Sequence, residues 1–303
     1  MIRLGLCCIF KEEPIKFHVT TAKRLNSYEQ QEHLRILGEL CLHNAKTLKI
    51  ALQYCANNGI GDFRILSQIN PLRTHPDVGY KLHDLPQVDE ILKYYRECRN
   101  FNKKKNIRTS FHPDQFIVLS TPHPNVLQSS LAELAYQAEI AEFIGADVIN
   151  VHGGGVYGKK KETLGRLSKE IEKLPEKLLT RLTLENDDRS YTPEDLIPVC
   201  KALAIPLVYD VHHHRCLPDK LSVEKATDLA IQTWNREPLF HLSSPRDGWN
   251  KPNPQFHHDF IDINDFPDYW KTLDLTIEIE AKSKEVAIKK LRAELIAQGV
   301  QLR

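Results

Sequence analysis

Short apolar runs recur along the chain, and six of them end on a histidine or on an acidic residue. Segments with apolar residues at helical spacing lie between these runs. The six terminal residues are His112, His152, Glu185, Asp210, His241 and Glu280. Strands that alternate with helices at this spacing predict parallel β-α-β units.

The same pattern predicts eight strands, so a closed barrel is favoured over an open sheet. The predicted strands cover residues 2–8, 63–66, 107–112, 148–152, 182–185, 207–210, 239–243 and 275–280. The predicted helices end near residues 58, 100, 145, 174, 203, 235 and 298. The fold class is therefore α/β, a single TIM (β/α)8 barrel, and the 303 residues fit one domain over residues 1–303.

Side-chain alternation places the strand-end residues inside the barrel rim. In the last strand the apolar residues face the helices, whereas Glu278 and Glu280 face inward. Arg64 or Arg108, also at inward positions, can neutralise Glu278. We interpret Glu278 as structural and Glu280 as functional.

Imidazoles and carboxylates that meet at one rim predict a metal site. The C-terminal ends of parallel barrel strands converge on one face, and buried polar groups cost several kcal/mol unless they are paired or metal-bound. Asp210 and His213 add a D-x-x-H step from strand into loop, and His257 follows strand seven. Taken singly, a strand-end histidine is more often structural. Together they predict two or three ions of the zinc or manganese kind, with Glu185 bridging, as in phosphodiester cleavage.

Charge and composition narrow the class of partner. The formal net charge of +1 gives no global attraction to nucleic acid, so any DNA affinity needs a local basic surface. Residues 103–105 are lysines at the predicted bottom of the barrel, and residues 159–161 are lysines near its top, where they can reach a ligand. A solvated helix start is the alternative interpretation for either run.

The chain contains no apolar run long enough for a membrane span, and we expect a cytosolic protein. Seven cysteines without a C-x-x-C pair predict reduced, mostly packing thiols. Gly153-Gly154-Gly155 lacks the lysine and hydroxyl of a phosphate-binding loop. We interpret it as room for close approach of a substrate, with a plain flexible loop as the alternative.

Motifs spread over nearly the whole chain together resemble one known family. They are RLG at 3–5, FRILS at 63–67, FHPDQF at 111–116, NVHGGG at 150–155, LEND at 184–187, YDVHH at 209–213, HLSS at 241–244, HHDFID at 257–262 and IEAK at 279–282. In this order they are similar to the UV damage endonuclease family. The resemblance implies a metal-dependent TIM-barrel endonuclease, related in shape to endonuclease IV, that incises immediately 5′ to pyrimidine dimers, 6-4 photoproducts and some abasic sites.

The resemblance also implies a cofactor and site residues. The cofactor of that family is usually manganese. The resemblance therefore implies two or three divalent ions in this chain, with Zn²⁺ or Mg²⁺ as alternatives to Mn²⁺. The implied ligands are His112, His152, Glu185, Asp210, His213, His241, His257 and Glu280. His75 matches a histidine near the scissile phosphate, so Glu185, His241 and His75 are the implied catalytic residues. Gln115 and Phe116 match a probe inserted into the duplex at the lesion, with a packed loop residue as the alternative for Phe116.

The sequence departs from some relatives at three positions. Leu239 stands where some members carry a modified lysine beside the metals, so that feature is expected to be absent. Leu6 and Phe10 replace polar or aromatic contacts of strand one. These differences are expected to affect the range of lesions that is recognised or the rate of incision.

The leading prediction is a nuclease acting on damaged double-stranded DNA, leaving a 3′-hydroxyl and a 5′-phosphate. Lys159, Lys160 and Arg215 are predicted to contact phosphates. We expect a monomer. Two alternatives stay open at this point: a sugar isomerase or epimerase on a related metal barrel, and a lesion-binding protein without catalysis.

Overall fold

Eight parallel strands form the centre of the molecule. The structure is a computed structural model that describes residues 1–303. The strands are β1 Ile2–Cys7, β2 Asp62–Ile65, β3 Arg108–Phe111, β4 Val148–His152, β5 Leu182–Glu185, β6 Leu207–Val208, β7 Leu239–Leu242 and β8 Leu275–Ile279. Nearly all of their residues are buried, as expected for strands covered on both faces.

The sheet closes on itself. Its hydrogen-bonded order is β6-β5-β4-β3-β2-β1-β8-β7, which leaves β6 and β7 at the two ends. These ends are joined by a parallel bridge between Asp210 and His241, and the His241 amide donates to the Tyr209 carbonyl over 3.1 Å. The arrangement is a TIM barrel, and the predicted fold class is confirmed.

Ten α-helices connect and cover the strands. They are α1 Ala22–Leu25, α2 Gln30–Asn57, α3 Val88–Lys105, α4 Pro124–Ile144, α5 Lys160–Ile171, α6 Glu176–Leu179, α7 Pro193–Leu203, α8 Val211–Cys216, α9 Val223–Ile231 and α10 Lys284–Ala297. Three short 3-10 helices cover Leu82–Asp84, Ile263–Asp265 and Asp268–Thr272. None of the helices has the length and apolarity that crossing a bilayer requires.

Local signals account for several helix ends. Pro124 and Pro193 begin α4 and α7, where a missing amide hydrogen costs nothing. Thr192 and Asp195 form a reciprocal capping box at the start of α7. Gly145 ends α4 with a φ of 84°, a conformation that glycine adopts without a steric penalty.

Several predicted boundaries are wrong: α3, for example, ends at Lys105 and not near residue 100. Another of them concerns the site directly. The sequence predicts a strand to residue 210 followed by a loop, but β6 ends at Val208 and α8 begins immediately after Asp210. Asp210 is the N-cap of α8, because its Oδ1 accepts from the His213 amide over 2.8 Å. The helix turns His213 back over the end of β5.

The barrel interior is polar near the rim and contains one small apolar cluster below it. Thr183 Oγ1 donates to Asn150 Oδ1 over 2.9 Å, and Ser110 donates to Glu278, so these inward positions are confirmed. Val148, Val208 and Leu239 form a small apolar cluster separate from the main core between strands and helices. Leu239 is thus packed in an apolar layer beneath His241.

All seven cysteines are free, as predicted. Five of them are buried, and burial raises the pKa of Cys41 to about 12. These thiols pack within the core.

Candidate metal centre

Seven of the eight predicted ligands gather at the C-terminal rim of the barrel. Three groups have ligand atoms within 4.8 Å of one another: His112, His152 and Glu185; His112, His241 and Glu280; Glu185, Asp210 and His213. The groups overlap at His112 and Glu185. His257 belongs to none of them, and its Nδ1 lies 3.8 Å from Glu280 Oε2.

Glu185 lies at the centre of the cluster. Its Oε2 is 3.0 Å from His112 Nε2, and its Oε1 is 3.1 Å from His241 Nδ1. Asn150 on the neighbouring strand donates its side-chain amide to Oε2. Burial by itself raises the pKa of Glu185, but the surrounding imidazoles, His241 foremost, bring it well below its usual range. The ionised carboxylate therefore presents both oxygens to surrounding ligand groups, as a bridging ligand does.

His241 is held by a carboxylate on each side. Its Nδ1 faces Glu185, and its Nε2 lies 2.9 Å from Glu278 Oε2. Burial lowers the pKa of His241, but the Glu185 carboxylate outweighs it and the pKa rises to about 10. An imidazole that donates one N–H to a carboxylate is oriented to offer its other nitrogen to an ion. Glu278 thus orients His241, in keeping with the structural role expected for it.

Arg64 connects the two acidic residues of β8. Its Nη1 donates to Glu280 Oε1 over 2.6 Å, and its Nε donates to Glu278. Burial raises the carboxyl pKa values, yet the Arg64 guanidinium holds that of Glu278 at about 2 and that of Glu280 well below its usual range. Of the two predicted partners for Glu278, the structure places Arg64 there, because Arg108 pairs with Asp147 at 2.9 Å.

Asp210 and His213 are positioned by α8 and by Asn186. Asp210 Oδ2 lies 3.4 Å from His213 Nδ1, while Oδ1 caps the helix. The Asn186 side chain donates to the Asp210 carbonyl over 2.8 Å and accepts from the Asp210 amide over 3.0 Å. The ends of β5 and β6 are therefore fixed relative to each other.

The residues present fit divalent ions. His112 Nδ1, His152 Nδ1 and Asp210 Oδ2 are buried and have no hydrogen-bond partner, a condition that costs about 1–3 kcal/mol per group. Burial lowers the pKa of His152 to about 4, which leaves a neutral imidazole of the kind that binds metals. Imidazoles and carboxylates together suit zinc and manganese ions.

A cavity of about 430 Å³ opens above the ligands. Its wall is formed by the loops after β3, β4, β5 and β7, with Gln115, Gly154, Gly155, Asp187 to Ser190, Gln255 and Phe256 contributing. Phe116 follows Gln115 in its loop and is 75% exposed. The alternative of a packed Phe116 is therefore wrong.

The glycine run after β4 is packed against its neighbours. A Cβ at Gly153 would lie 2.7 Å from the Tyr191 ring, and one at Gly154 would lie 2.6 Å from Ser120 Oγ. Gly154 also has a φ of +85°. Close packing within the protein accounts for these two glycines. Gly154 and Gly155 also line the cavity.

Besides Phe116, four predicted substrate-binding residues lie outside the ligand cavity. His75 lines a neighbouring cavity of about 270 Å³ together with Asp114, and its Nδ1 accepts from the Asp77 amide over 3.1 Å. Lys159 pairs with Glu162 at 2.8 Å on the surface.

Lys160 and Arg215 already have partners within the protein. Lys160 pairs with Asp195 at 2.8 Å. Arg215 donates from Nη1 to the Asp265 carbonyl over 2.8 Å and lies over the Trp249 ring. Arg215 therefore fixes the segment between β7 and β8 onto α8.

The sequence prediction misses several site residues, among them Asn186, Gln255 and Phe256. Asn186 directly follows Glu185, and Gln255 and Phe256 directly precede His257. Their positions beside predicted ligands were the available signal. Gln255-Phe256 also repeats the dipeptide of the predicted probe, Gln115-Phe116.

Comparison with known proteins gives one consistent family. Residues 2–301 match the family model UV-endonuclease UvdE. The UV DNA damage endonuclease of Bacillus velezensis is 33% identical over 303 residues, covering 96% of this chain and 91% of that protein. The crystal structure of SacUVDE superposes with a TM-score of 0.87 at 26% identity, covering 99% of this chain and 100% of the other. Endonuclease IV from Thermus thermophilus shares the fold, with a TM-score of 0.62 and 16% identity over 98% of this chain and 99% of that one.

Proposed function

The chain belongs to the UV-endonuclease UvdE family and is a UV-damage DNA repair endonuclease, and we propose that it incises immediately 5′ to the lesion. The proposed substrates are duplexes that contain cyclobutane pyrimidine dimers, 6-4 photoproducts or abasic sites. The proposed products carry a 3′-hydroxyl and a 5′-phosphate. The observation that carries the proposal is the overlap of three ligand groups around Glu185 and His112.

Two or three divalent ions, with Mn²⁺ as the first candidate, are proposed to occupy this cluster. His112, His152, Glu185, Asp210, His213, His241, His257 and Glu280 would hold them. When bound, such ions supply an activated water and positive charge that offsets the charge developing on the phosphate. All the ligands come from one chain, which supports activity as a monomer with residues 1–303 forming one domain.

The chain's own residues keep the ligands in place. Asn150 holds Glu185, Asn186 holds Asp210, and Glu278 holds His241. Preorganisation of this kind matters because misplacement of reacting groups by 1 Å can cost about a hundredfold in rate. His75 is proposed to contact the scissile phosphate from the neighbouring cavity, since Asp114 of that cavity immediately precedes Gln115 of the ligand cavity.

Lesion recognition is assigned to the loop after β3. Gln115 reaches the ligand cavity, and Phe116 projects from the surface with 75% exposure. An apolar wedge beside a polar side chain can fill the gap left when damaged bases leave the stack, and unstacking costs least where the lesion has already weakened it. Lys159 and Lys160 at the start of α5 are proposed to contact phosphates.

The two alternative functions are less well supported. A sugar isomerase or epimerase accounts for histidines and glutamates at strand ends, but the family match over residues 2–301 supports an endonuclease. A lesion-binding protein without catalysis does not need seven ligand-type residues gathered at one rim. The family match and the ligand cluster therefore both favour the endonuclease function.

Nicking of defined duplexes tests the proposal. The metal-stripped protein is incubated with a labelled duplex carrying one photoproduct and with the undamaged duplex, before and after Mn²⁺ is restored. We expect a single Mn²⁺-dependent cut immediately 5′ to the lesion. E185Q should lower the rate about a thousandfold, since several kcal/mol of charge stabilisation depend on the shared carboxylate.

E39Q is the matched control, because Glu39 is an exposed glutamate on α2 that pairs with Arg35 and belongs to none of the ligand groups. It should cut like the unsubstituted protein. Equal cleavage of damaged and undamaged duplex, or an E185Q protein of full activity, would contradict the proposal.

A further inference from the structure

The proposed function leaves one aromatic side chain of the cavity wall without a role. Phe256 lies between β7 and β8 and is 45% exposed. Phe256 and Gln255 line the same cavity as the ligands His112, Glu185 and Glu280. The exposed part of the ring is therefore available to a substrate group that enters the cavity.

Phe256 stands across the barrel from the proposed probe. In the closed strand order, β3 and β7 are four strands apart in either direction, so they are diametrically opposite. Gln115-Phe116 follows β3, whereas Gln255-Phe256 follows β7. Two copies of one dipeptide therefore follow opposite strands of the barrel, whose rim carries the ligand cluster.

The two phenylalanines differ in what they face. Phe116 is absent from the cavity wall and is 75% exposed to solvent. Phe256 forms part of the wall and is directly followed by His257, whose Nδ1 lies 3.8 Å from Glu280. Phe116 is thus suited to enter a duplex, and Phe256 is suited to contact a group that enters the cavity.

The backbone around Phe256 is fixed in place. The Arg246 amide donates to the Phe256 carbonyl over 2.6 Å, and Pro245 and His257 form an antiparallel bridge. The Arg246 guanidinium lies 5.1 Å from the centre of the Phe256 ring. The ring is therefore held before any ligand arrives, which lowers the entropic cost of stacking.

The position of Phe256 suits a partner that is flat and apolar and whose base identity does not matter. Every nucleobase offers a π face, and stacking on an aromatic side chain tolerates any base. We propose that Phe256 is a stacking residue for the nucleobase displaced from a damaged duplex, while Phe116 fills the gap left behind. This inference rests on the proposed function, because it assumes that damaged duplex DNA is the substrate.

Steady-state cleavage of the lesion-containing duplex tests this assignment with F256A and F256W. Loss of the ring in F256A should raise the KM for damaged duplex about 10-fold, equivalent to about 1.4 kcal/mol, and leave affinity for undamaged duplex unchanged. F256W should restore the KM, because indole also stacks on bases. Manganese content of the purified variants should equal that of the unsubstituted protein, which separates stacking from a disturbed His257.

A fluorescence measurement gives a direct readout of stacking. With a duplex in which a methylphosphonate replaces the phosphate 5′ to the lesion, so that no strand is cut, the tryptophan of F256W should be quenched by damaged duplex more than by undamaged duplex. The unsubstituted protein reports the background of Trp234, Trp249 and Trp270. I296A is the matched control for removal of an exposed apolar side chain, because Ile296 is 52% exposed on α10.

The outcomes separate this inference from the proposed function. An F256A protein with an unchanged KM, or an F256W protein without lesion-dependent quenching, overturns the role of Phe256 while lesion-specific nicking stands. If the unsubstituted protein fails to nick damaged duplex, the proposed function fails, and absence of quenching would then reject the stacking role as well. Lesion-dependent quenching in F256W would still support the stacking role of Phe256.

Discussion

Arg64 donates from Nη1 to Glu280 Oε1 over 2.6 Å, so the protein itself engages one oxygen of this predicted metal ligand. The other oxygen, Oε2, faces His257. The same guanidinium contacts Glu278, which in turn lies 2.9 Å from His241 Nε2. One arginine therefore orients two residues of the rim.

Replacing Arg64 by lysine should weaken ion binding without removing a ligand. A single ammonium cannot bridge two carboxylates as the guanidinium does, so R64K should lower Mn²⁺ affinity about 10-fold to 100-fold. Isothermal titration calorimetry measures the affinity. R108K is the matched control, since Arg108 is comparably buried but pairs with Asp147. Equal Mn²⁺ affinity in R64K and R108K would contradict the role given to Arg64.

His257 should matter less for ion binding than His112 does. His112 belongs to two of the three ligand groups, whereas His257 belongs to none and is 26% exposed at its side chain. We expect H257A to lose at most one ion and H112A to lose more, as measured by inductively coupled plasma mass spectrometry on gel-filtered protein. A lower metal content in H257A than in H112A is the opposite result.

Asp62 is expected to destabilise the fold at neutral pH. It is fully buried inside the barrel, neither carboxyl oxygen has a hydrogen-bond partner, and burial, with a further contribution from Glu278, raises its pKa well above the usual value. The folded protein therefore retains a proton that the unfolded chain loses near pH 4. Stability falls as pH rises from there towards the folded pKa, at about 1.4 kcal/mol per unit.

The substitution D62N removes this titration. We expect D62N to match the unsubstituted protein near pH 4 and to exceed it by at least about 1 kcal/mol at pH 7 in urea unfolding. D268N changes an aspartate whose side chain is 93% exposed, so it should show no comparable gain. A D62N protein that loses stability between pH 4 and 7 as steeply as its parent rules this explanation out.

Lys159 should contribute to DNA binding through charge alone. Its side chain is 75% exposed at the start of α5. K159A should reduce the slope of log affinity against log salt by about 1 for damaged and undamaged duplex alike. Lys104 near the end of α3 is the control, because the bottom of the barrel faces away from the site. A K104A protein with the same change in slope would assign the effect to net charge.

The sequence correctly predicts strands in which apolar and polar residues alternate. β4 and β5 have the predicted bounds, because apolar residues alternate with inward polar ones and the last residue is a ligand type. The gathering of Glu185, Asp210 and His241 follows from the fold class once the strands are known to be parallel. These predictions need only the periodicity of a strand and the convergence of strand ends.

Relationships across the barrel are not encoded in local patterns. The three consecutive histidines after Asp210 hide a helix, because its first turn is stabilised by a cap and not by an apolar face. Arg64 and Arg108 are equivalent in sequence, and only packing against β8 decides which one meets Glu278. The Arg215 guanidinium donates to the Asp265 carbonyl, a partner fifty residues away that no local pattern indicates.

The barrel, a closed cylinder of strands, is least extensively paired between β6 and β7, where a single bridge joins Asp210 and His241. Both residues are also predicted ligands, so an ion held by both would tie the two edges together. Its binding free energy would add to the cohesion of that junction. Cation loading and integrity of the cylinder would then be one linked equilibrium, and a chelator would act on architecture as well as on chemistry.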